Sequence, residues 1–380
     1  MDKTSLLFLG DFAPIFDVEI ALIQGRYKEV LNDFVDLIAK HDVISVNLEC
    51  PLTHSTKKLL KTGPCLKSSP DCAKALSEIG ITVASLANNH ILDYGASGLI
   101  DTLESLAHNG VKCHGAGKNR SEANQPIIIK NGTISVALIS YCEREFSILS
   151  PEHPGANPID PIRNAPEILN LVKENDYVFV QVHGGHEYNN LPSPYFRDLL
   201  RFYASLGVSA VIGHHIHVAS LYEEYFGVPI FYSLGNFSFC WDSAKGDDWY
   251  KGMAVSFSIA DNHLSYNLIP HIQDKNGFVR RMNTEEISTF LHDIEDIRGV
   301  FSSEQYSAHF DEYLVQKGER AFTNLLLPNR ALKWAIKKRW IKLESVIKLK
   351  RFIAYFHSYR CEGSREAIEL FLEKTYGKLL

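Results

Sequence analysis

The sequence of 380 residues lacks the features that define several special classes of protein. Its seven cysteines include no Cys-x-x-Cys pair, and their odd number and irregular spacing are typical of reduced thiols in the cytosol. No apolar run reaches the roughly 20 residues of a membrane span. The apolar stretch 5–9 is too short for the central region of a signal peptide. We therefore expect a cytoplasmic protein whose cysteines are structural.

An excess of positive charge is also missing. Lysine and arginine total 39 against 45 aspartates and glutamates, which gives a formal net charge of −6. This balance argues against general nucleic-acid binding, because such proteins carry a strong positive field. The hydrophobic share of 45% and the charged share of 22% are those of an ordinary globular chain with a sizeable core.

The average charge conceals a basic segment, residues 330–351. It holds nine basic residues and one acidic residue, Glu344, for a local charge of +8. Five apolar residues recur at steps of three or four and share one helical face: Leu332, Ile336, Trp340, Leu343 and Ile347. Two interpretations stay open. The segment is either a helix packed on the core with a solvated basic face, or a peripheral contact with a membrane surface, a polymer synthase, or an acidic partner such as an anionic polymer.

Short apolar runs rich in β-branched residues alternate with helical patterns, which predicts a layered α/β fold. The predicted strands are 6–9, 43–47, 82–86, 127–130, 135–139, 177–182, 210–212 and 230–233. The predicted helices are 30–39, 97–108, 165–173 and 195–205. A hairpin of 253–259 and 263–269 closes this domain, and the chain after residue 284 has helical patterns alone. We expect an α/β domain at 1–272 and a helical region at 273–380.

Polar residues follow the ends of six predicted strands, where ligand sites form in open α/β sheets. The motifs are Gly10-Asp11, Asn47-Leu48-Glu49, Asn89-His90 with Asp93, His183 with His186 and Glu187, His214-His215-Ile216-His217, and the segment 233–237. Carboxylates, an amide oxygen and imidazoles suit Mn, Fe, Zn or Co better than Ca. Two such ions about 3.5–4 Å apart could share a carboxylate and lower the pKa of a water.

The spacing of His215 and His217 allows two geometries. On a strand, residues two apart direct their side chains to one face of the sheet. On a tight loop, the two imidazoles can diverge toward two different metals.

The order of these motifs, over residues 6–239, resembles the CapA-like proteins of capsule and poly-gamma-glutamate synthesis. These proteins are a branch of the calcineurin-like metallophosphoesterase superfamily. The resemblance implies a four-layer α/β/β/α sandwich, here followed by a C-terminal helical extension, and a site for two divalent transition metal ions. Position by position, it implies six metal ligands: Asp11, Glu49, Asn89, His183, His215 and His217. It also implies that His90 is catalytic at the leaving group and that Asp93 orients it.

Five further residues are candidates for substrate binding: Asn47, Lys67, His186, Glu187 and His214. Lys67 lies in a polar loop between the second and third motifs. It could hold an anionic substrate group as a point charge, or the loop could simply be solvated. His186 and Glu187 could line the pocket, and Glu187 could instead pair with a neighbouring base.

The sequence also departs from the superfamily pattern. Position 13 is alanine where the superfamily has a histidine two residues after the first aspartate, so one metal has a ligand fewer. The second motif ends in Glu49, as in the CapA-like branch. The residue after His183 is Gly184, where relatives commonly have tryptophan, and Ile216 replaces a proline of the fifth motif.

Three hypotheses of function remain. The first is a metal-dependent hydrolase or transferase of capsule, polyglutamate or surface-polymer synthesis, acting on an anionic small molecule, peptide or polymer. The second is a metal-dependent epimerase that removes a proton from an amino-acid α-carbon. The third is a non-catalytic accessory subunit of a polymer synthase. The intact Asn89-His90 pair favours hydrolysis, and Ala13 favours the other two. The sequence leaves the oligomeric state open.

Overall fold

The computed structural model describes residues 3–61, 63–150, 153–241, 245–326, 334–335 and 337–341. The chain divides into two compact units, Met1–Leu59 with Gly63–Ser303, and Leu60–Thr62 with Glu304–Leu380. The strands and helices that follow residue 272 as far as residue 301 belong to the first unit. In the part of the second unit that the structure describes, the long helix is α10, Tyr306–Leu326.

The first unit contains the strands and the other helices of the described residues. Its strands are β1 Lys3–Ala13, β2 Val43–Leu48, β3 Val83–Ser85, β4 Lys112–His114, β5 Ala116–Gly117, β6 Ile127–Asn131, β7 Ile134–Cys142, β8 Gly155–Ala156, β9 Tyr177–His183, β10 Ala210–His214, β11 Tyr222–Tyr225, β12 Val228–Phe231, β13 Asn236–Phe239, β14 Lys251–Ala260, β15 His263–Gln273 and β16 Val279–Arg281. Its helices are α1 Asp17–Ile23, α2 Tyr27–Leu31, α3 Phe34–Ile38, α4 Asp71–Glu78, α5 Gly95–His108, α6 Arg120–Ala123, α7 Pro161–Glu174, α8 Pro194–Ser205 and α9 Thr284–Phe301, with a 3-10 turn at Asp247–Tyr250.

Two large sheets organise these strands. One has the order β16-β15-β14-β1-β2-β3-β4, with β13 beside the end of β1, and the other has the order β11-β12-β10-β9-β7-β6. The strands β1 to β4 are mutually parallel, as are β7, β9, β10 and β12. Parallel strands need crossover connections, which place helices on the sheet faces. Their carboxyl ends consequently meet along one edge of each sheet.

The two sheets face each other through aromatic side chains. Phe8 of β1 lies with its ring centroid 5.2 Å from that of Phe179 of β9, and Phe257 of β14 lies 4.9 Å from Phe179. Leu7 and Leu9 point to the opposite face of β1 and join the core under the helices α1 to α5. The side chains of β1 alternate between its two faces and thus contribute to two apolar layers. Helices α7 and α8 contact β9, β10 and β12 of the second sheet. The expected four-layer α/β/β/α class is confirmed.

Most predicted elements lie where the sequence places them, with two corrections among the described residues, one at Asn32 and one at Arg339. The predicted helix 30–39 is two short helices, α2 and α3, because Asn32 between them has a positive φ of 45° that an α-helix cannot contain. The predicted hairpin is β14 and β15, and its turn residues Asp261 and Asn262 have φ of 53° and 60°.

The helical patterns after residue 284 correspond to α9 and α10 as far as residue 326. Of the predicted helix 329–355, which contains the basic segment 330–351, the structure describes residues 334–335 and 337–341. The helix is interrupted there, because Arg339 has a φ of 59° that an α-helix cannot contain. The rest of that prediction and the predicted helix 364–376 lie outside the described residues. Among the helices that the structure describes, none is long and apolar enough to cross a membrane.

Candidate metal centre

The register of the parallel strands brings the predicted motifs to adjoining positions. In the first sheet, Asp11 of β1 pairs with Asn47 of β2 and with Asn236 of β13. In the second sheet, His183 of β9 pairs with His214 of β10. The carboxyl edges of both sheets therefore present polar residues to one region between them.

Gly10 is required where β1 meets β13. A Cβ atom at this position would lie 2.1 Å from the carbonyl oxygen of Gly235, a distance that no side chain tolerates. The close approach lets the backbone N–H of Asp11 donate to the same carbonyl at 2.9 Å. Glycine at position 10 thus allows the hydrogen bond that fixes the backbone of Asp11, the first carboxylate of the centre.

The His-x-His motif is a tight loop beyond the end of β10. His215 and His217 have φ of 96° and 62°, in the left-handed region that costs a non-glycine residue about 1 kcal/mol or more. The N–H of His215 donates to Asp11 Oδ2 at 3.1 Å, and the carbonyl of Ile216 accepts from the N–H of Tyr188. Of the two geometries that the spacing allowed, the structure has the loop, and the two rings diverge with centroids 6.3 Å apart.

Two groups of buried donors share one carboxylate. Glu49, His183 and His215 form one group, and Asp11, Glu49 and His217 form the other. In each group the donor atoms lie within 4.8 Å of one another. The same oxygen of Glu49, Oε1, lies 3.6 Å from His183 Nε2 and 3.7 Å from His217 Nε2. Glu49 is therefore the carboxylate that the two donor groups share.

The surroundings of Glu49 fit a cation. Its carboxylate is fully buried, and neither oxygen accepts a hydrogen bond from a described residue. Burial, together with the negative charges of Asp11 and Glu187, raises the pKa of Glu49 well above its usual value. A buried carboxylate without a donor is costly unless a positive charge compensates it. The residues present thus fit the divalent metal that the fold family implies.

The histidines of the two groups differ in protonation. Burial and the charges of neighbouring histidines lower the pKa of His183 far below its usual value, and burial lowers the pKa of His217 to about 4. Both rings are therefore neutral at pH 7, as metal ligation requires. Burial alone would lower the pKa of His215, but the carboxylate of Glu143 outweighs it and raises that pKa to about 9.

Asn89 and Asp11 complete the donor set. Asn89 Oδ1 lies 3.1 Å from His183 Nε2, so Asn89 adjoins the group of Glu49, His183 and His215. Burial raises the pKa of Asp11, but its contact with His214 and the charges of His214 and His217 outweigh burial and lower it. The amide of Asn47 donates to Asp11 Oδ1 at 2.8 Å.

His90 and Asp93 form a buried pair beside the donor groups. His90 Nδ1 lies 2.6 Å from Asp93 Oδ2, and the same oxygen accepts the N–H of Leu66 at 2.6 Å. Asp93 therefore holds the ring with its Nδ1–H toward the carboxylate and directs Nε2 the other way. His90 also follows Asn89 directly in the chain, so the pair adjoins the candidate metal ligands.

The remaining candidates occupy two kinds of position. Asn47 and His214 are buried behind Asp11, with His214 Nδ1 3.2 Å from Asp11 Oδ1. The ammonium of Lys67 donates to the carbonyl of Ser55 at 2.7 Å and lies over the ring of Tyr94. His186 and Glu187 are partly exposed, and the charge of Glu187 acts on Glu49, His215 and His217.

Two residues at the centre had no predicted ligand or support role. Glu143 lies 3.1 Å from His215 Nε2, and Asn236 Oδ1 lies 3.0 Å from His217 Nδ1. Glu143 directly follows β7, so the strand-end rule that found the other motifs would have found it as well. Asn236 lies in the segment 233–237, the last of the six predicted motifs, to which no ligand role was assigned.

The layered fold and the shared carboxylate define a class, that of α/β sandwich proteins with a histidine and carboxylate centre at the strand ends. The family described as "Bacterial capsule synthesis protein PGA_cap" matches residues 5–240. This chain belongs to that family, which confirms the resemblance to CapA-like proteins.

Three curated relatives illustrate the similarity. The PGA biosynthesis protein CapA of Bacillus subtilis is 32% identical over 63% of this chain and 64% of its own length. The capsule biosynthesis protein CapA of Bacillus anthracis is 31% identical over 63% of this chain and 60% of its own length. A Mycobacterium tuberculosis protein named a polyglutamine synthesis accessory protein is 27% identical over 60% of this chain and 65% of its own. The chain thus matches less than two thirds of the length of each relative.

The comparison with solved structures gives more distant similarities. A Staphylococcus aureus protein described as a 5'-nucleotidase aligns over 77% of this chain and 58% of that chain, with 15% identity and a TM-score of 0.46.

Proposed function

We propose that this chain is a metal-dependent hydrolase or transferase that acts on an anionic substrate in capsule or poly-gamma-glutamate synthesis. The observation that carries the proposal is Glu49, a buried carboxylate without a hydrogen-bond donor among the described residues, shared by two histidine-containing groups. The names of the Bacillus relatives support the polymer context.

The proposed ligands divide into two sets around Glu49. His183, His215 and Asn89 would hold one divalent transition metal ion, and Asp11 and His217 would hold the second. When bound, such ions polarise a phosphoryl or carbonyl oxygen and activate a water at neutral pH. The missing histidine at position 13 leaves the second set with three protein donors, Asp11, His217 and the shared Glu49.

His90 has the geometry of a general acid. Asp93 accepts from Nδ1–H at 2.6 Å, which leaves Nε2 as the nitrogen that would carry the transferable proton. Donation of that proton to a departing oxygen or nitrogen would assist cleavage, and Asp93 would keep the ring aligned. His186 and Glu187, at the partly exposed side of the centre, are the proposed contacts to substrate.

The test combines metal analysis with a substrate screen. Purified protein is expected to contain or bind Mn, Fe, Zn or Co and to turn over one class among phosphate monoesters, phosphate diesters and γ-glutamyl amides. His90→Ala should retain the metal and lose turnover, whereas His108→Ala, which changes an exposed histidine at the end of α5, should change neither. Protein that binds no metal, or a His90→Ala variant with full activity, would refute the proposal.

A non-catalytic accessory role is the second candidate, because the Mycobacterium tuberculosis relative is named an accessory protein. In this role the proposed contact with a membrane surface or an acidic partner is the basic segment 330–351. Complementation separates the two functions in cells that need this gene for polymer synthesis. Loss of polymer with His90→Ala supports catalysis, and full polymer yield supports the accessory role.

A further inference from the structure

Glu143 is positioned by the end of β7 against the metal centre. Its backbone N–H donates to the carbonyl of His183 at 2.9 Å, which ties it to the end of β9. Its carboxylate has two contacts: Oε1 lies 3.1 Å from His215 Nε2, and Oε2 accepts the N–H of Gly185 at 3.0 Å. One carboxylate thus joins the loops that follow β9 and β10.

The space for this carboxylate depends on Gly184. A Cβ atom at Gly184 would lie 3.1 Å from Glu143 Oε2 and 3.3 Å from Glu143 Cβ, which is tighter than ordinary van der Waals contact. A side chain at this position would require Glu143 to shift by a few tenths of an ångström. Glycine directly after His183 and a carboxylate after β7 are therefore coupled features of this chain.

The two nitrogens of His215 have different surroundings. Nε2 is directed to Glu143, while Nδ1 lies 3.1 Å from His183 Nε2, within the group that includes Glu49. We propose that Glu143 is a positioning residue of the metal centre, which holds His215 with Nε2–H on its own carboxylate and Nδ1 available to the metal shared with Glu49 and His183. This inference rests on the proposed metal-dependent function.

The second histidine of the loop, His217, has an amide as its partner in place of a carboxylate. The influence of Glu143 should therefore be specific to the metal position that contains His215. His217 directs Nδ1 to the amide oxygen of Asn236 at 3.0 Å and Nε2 toward Glu49. A carboxylate partner raises the basicity of a ligating imidazole more than a neutral amide does. Glu143 should thus strengthen the position of His183 and His215 and leave that of Asp11 and His217 nearly unchanged.

Glu143→Gln tests the inference with little change in shape. Glutamine offers one acceptor oxygen for two N–H donors, those of His215 and Gly185, so one contact is lost. Metal-free full-length protein is titrated with Co²⁺ in competition with a chelator, and the visible absorption of bound cobalt is recorded. The expected result is a loss of about 10- to 100-fold in affinity for one of two ions, together with a changed cobalt spectrum.

Two further variants provide controls. Glu174→Gln removes an exposed carboxylate from the end of α7 and should match the wild type. Glu145→Gln tests a competing explanation, because Glu143, Glu145 and His215 could themselves hold an ion. Equal loss of one bound ion in both Glu143→Gln and Glu145→Gln would overturn the positioning role in favour of a third metal site.

The outcomes separate this inference from the proposed function. Wild-type protein that binds no cobalt would refute the metal-dependent function. Wild type that binds cobalt, with Glu143→Gln identical to it in affinity and spectrum, would refute the inference alone. If Glu143→Gln does not fold, Gly184→Ala replaces it, because its added Cβ crowds the carboxylate and should weaken the same metal position.

Discussion

Glu49→Gln should stabilise the metal-free protein and reduce the stabilisation that metal provides. The substitution keeps the shape of the side chain and removes the charge that two donor groups share. The raised pKa of Glu49 means that the native state keeps a proton that the unfolded chain releases above its usual pKa of 4.5. As pH rises from that value toward the native pKa, wild-type protein loses about 1.4 kcal/mol per pH unit.

Glutamine does not titrate, so it avoids this loss. In EDTA at pH 7–8 the metal-free variant should therefore be more stable than the metal-free wild type. Divalent metal should stabilise the wild type more than the variant, because it compensates the charge of Glu49. At a metal concentration about 100 times its Kd, binding stabilises the wild type by about 2.7 kcal/mol. For a unit of about 300 residues this corresponds to an increase in Tm of about 4 °C.

Thermal unfolding followed by fluorescence, in EDTA and in excess Mn²⁺ or Zn²⁺, measures both effects. Glu174→Gln serves as the matched control, since it removes the same charge from an exposed position. A Glu49→Gln variant that is less stable than wild type in EDTA would contradict the electrostatic reasoning. A metal-induced increase in Tm as large as that of the wild type would show that Glu49 is not a ligand.

Three further predictions address other parts of the molecule. Asp93→Asn should reduce turnover by about 10²- to 10⁴-fold at unchanged metal content, because His90 loses the carboxylate that orients it; steady-state kinetics that match the wild type would contradict this. Phe179→Ala should destabilise the protein by about 3–5 kcal/mol in urea unfolding, because Phe179 is fully buried between the sheets; a loss below about 1 kcal/mol would contradict the packing. Burial lowers the pKa of His114 from 6.5 to about 3. Between these two values the unfolded chain binds a proton that the native state excludes, so the stability of the wild type falls as pH drops below about 6.5. His114→Gln should reduce this slope by up to about 1.4 kcal/mol per pH unit between about pH 5.5 and 4 in urea titrations, and an unchanged slope would contradict the assignment.

Local pattern was enough to locate many elements. Runs of β-branched residues and apolar residues at helical spacing depend on neighbours a few positions away, so they indicated the strands that carry Asp11, Glu49 and His183. Local pattern failed where a single backbone conformation interrupts it. The apolar spacing of 30–39 continues across Asn32, but the positive φ there ends one helix and begins another. Strand β13 was also missed, because its four residues follow a turn and pair with the end of β1.

The sequence by itself determined the chemical identity of the centre: carboxylates, amides and imidazoles after successive strands, in the order of one family. Only the tertiary structure decided how they combine. Glu49 meets His183 and His217, which are 134 and 168 residues away along the chain, because parallel register and crossover connections bring the carboxyl ends of both sheets together. The same register places Glu143 on His215. Contacts of this kind depend on how whole strands pair and sheets pack, and no pattern of neighbouring residues specifies them.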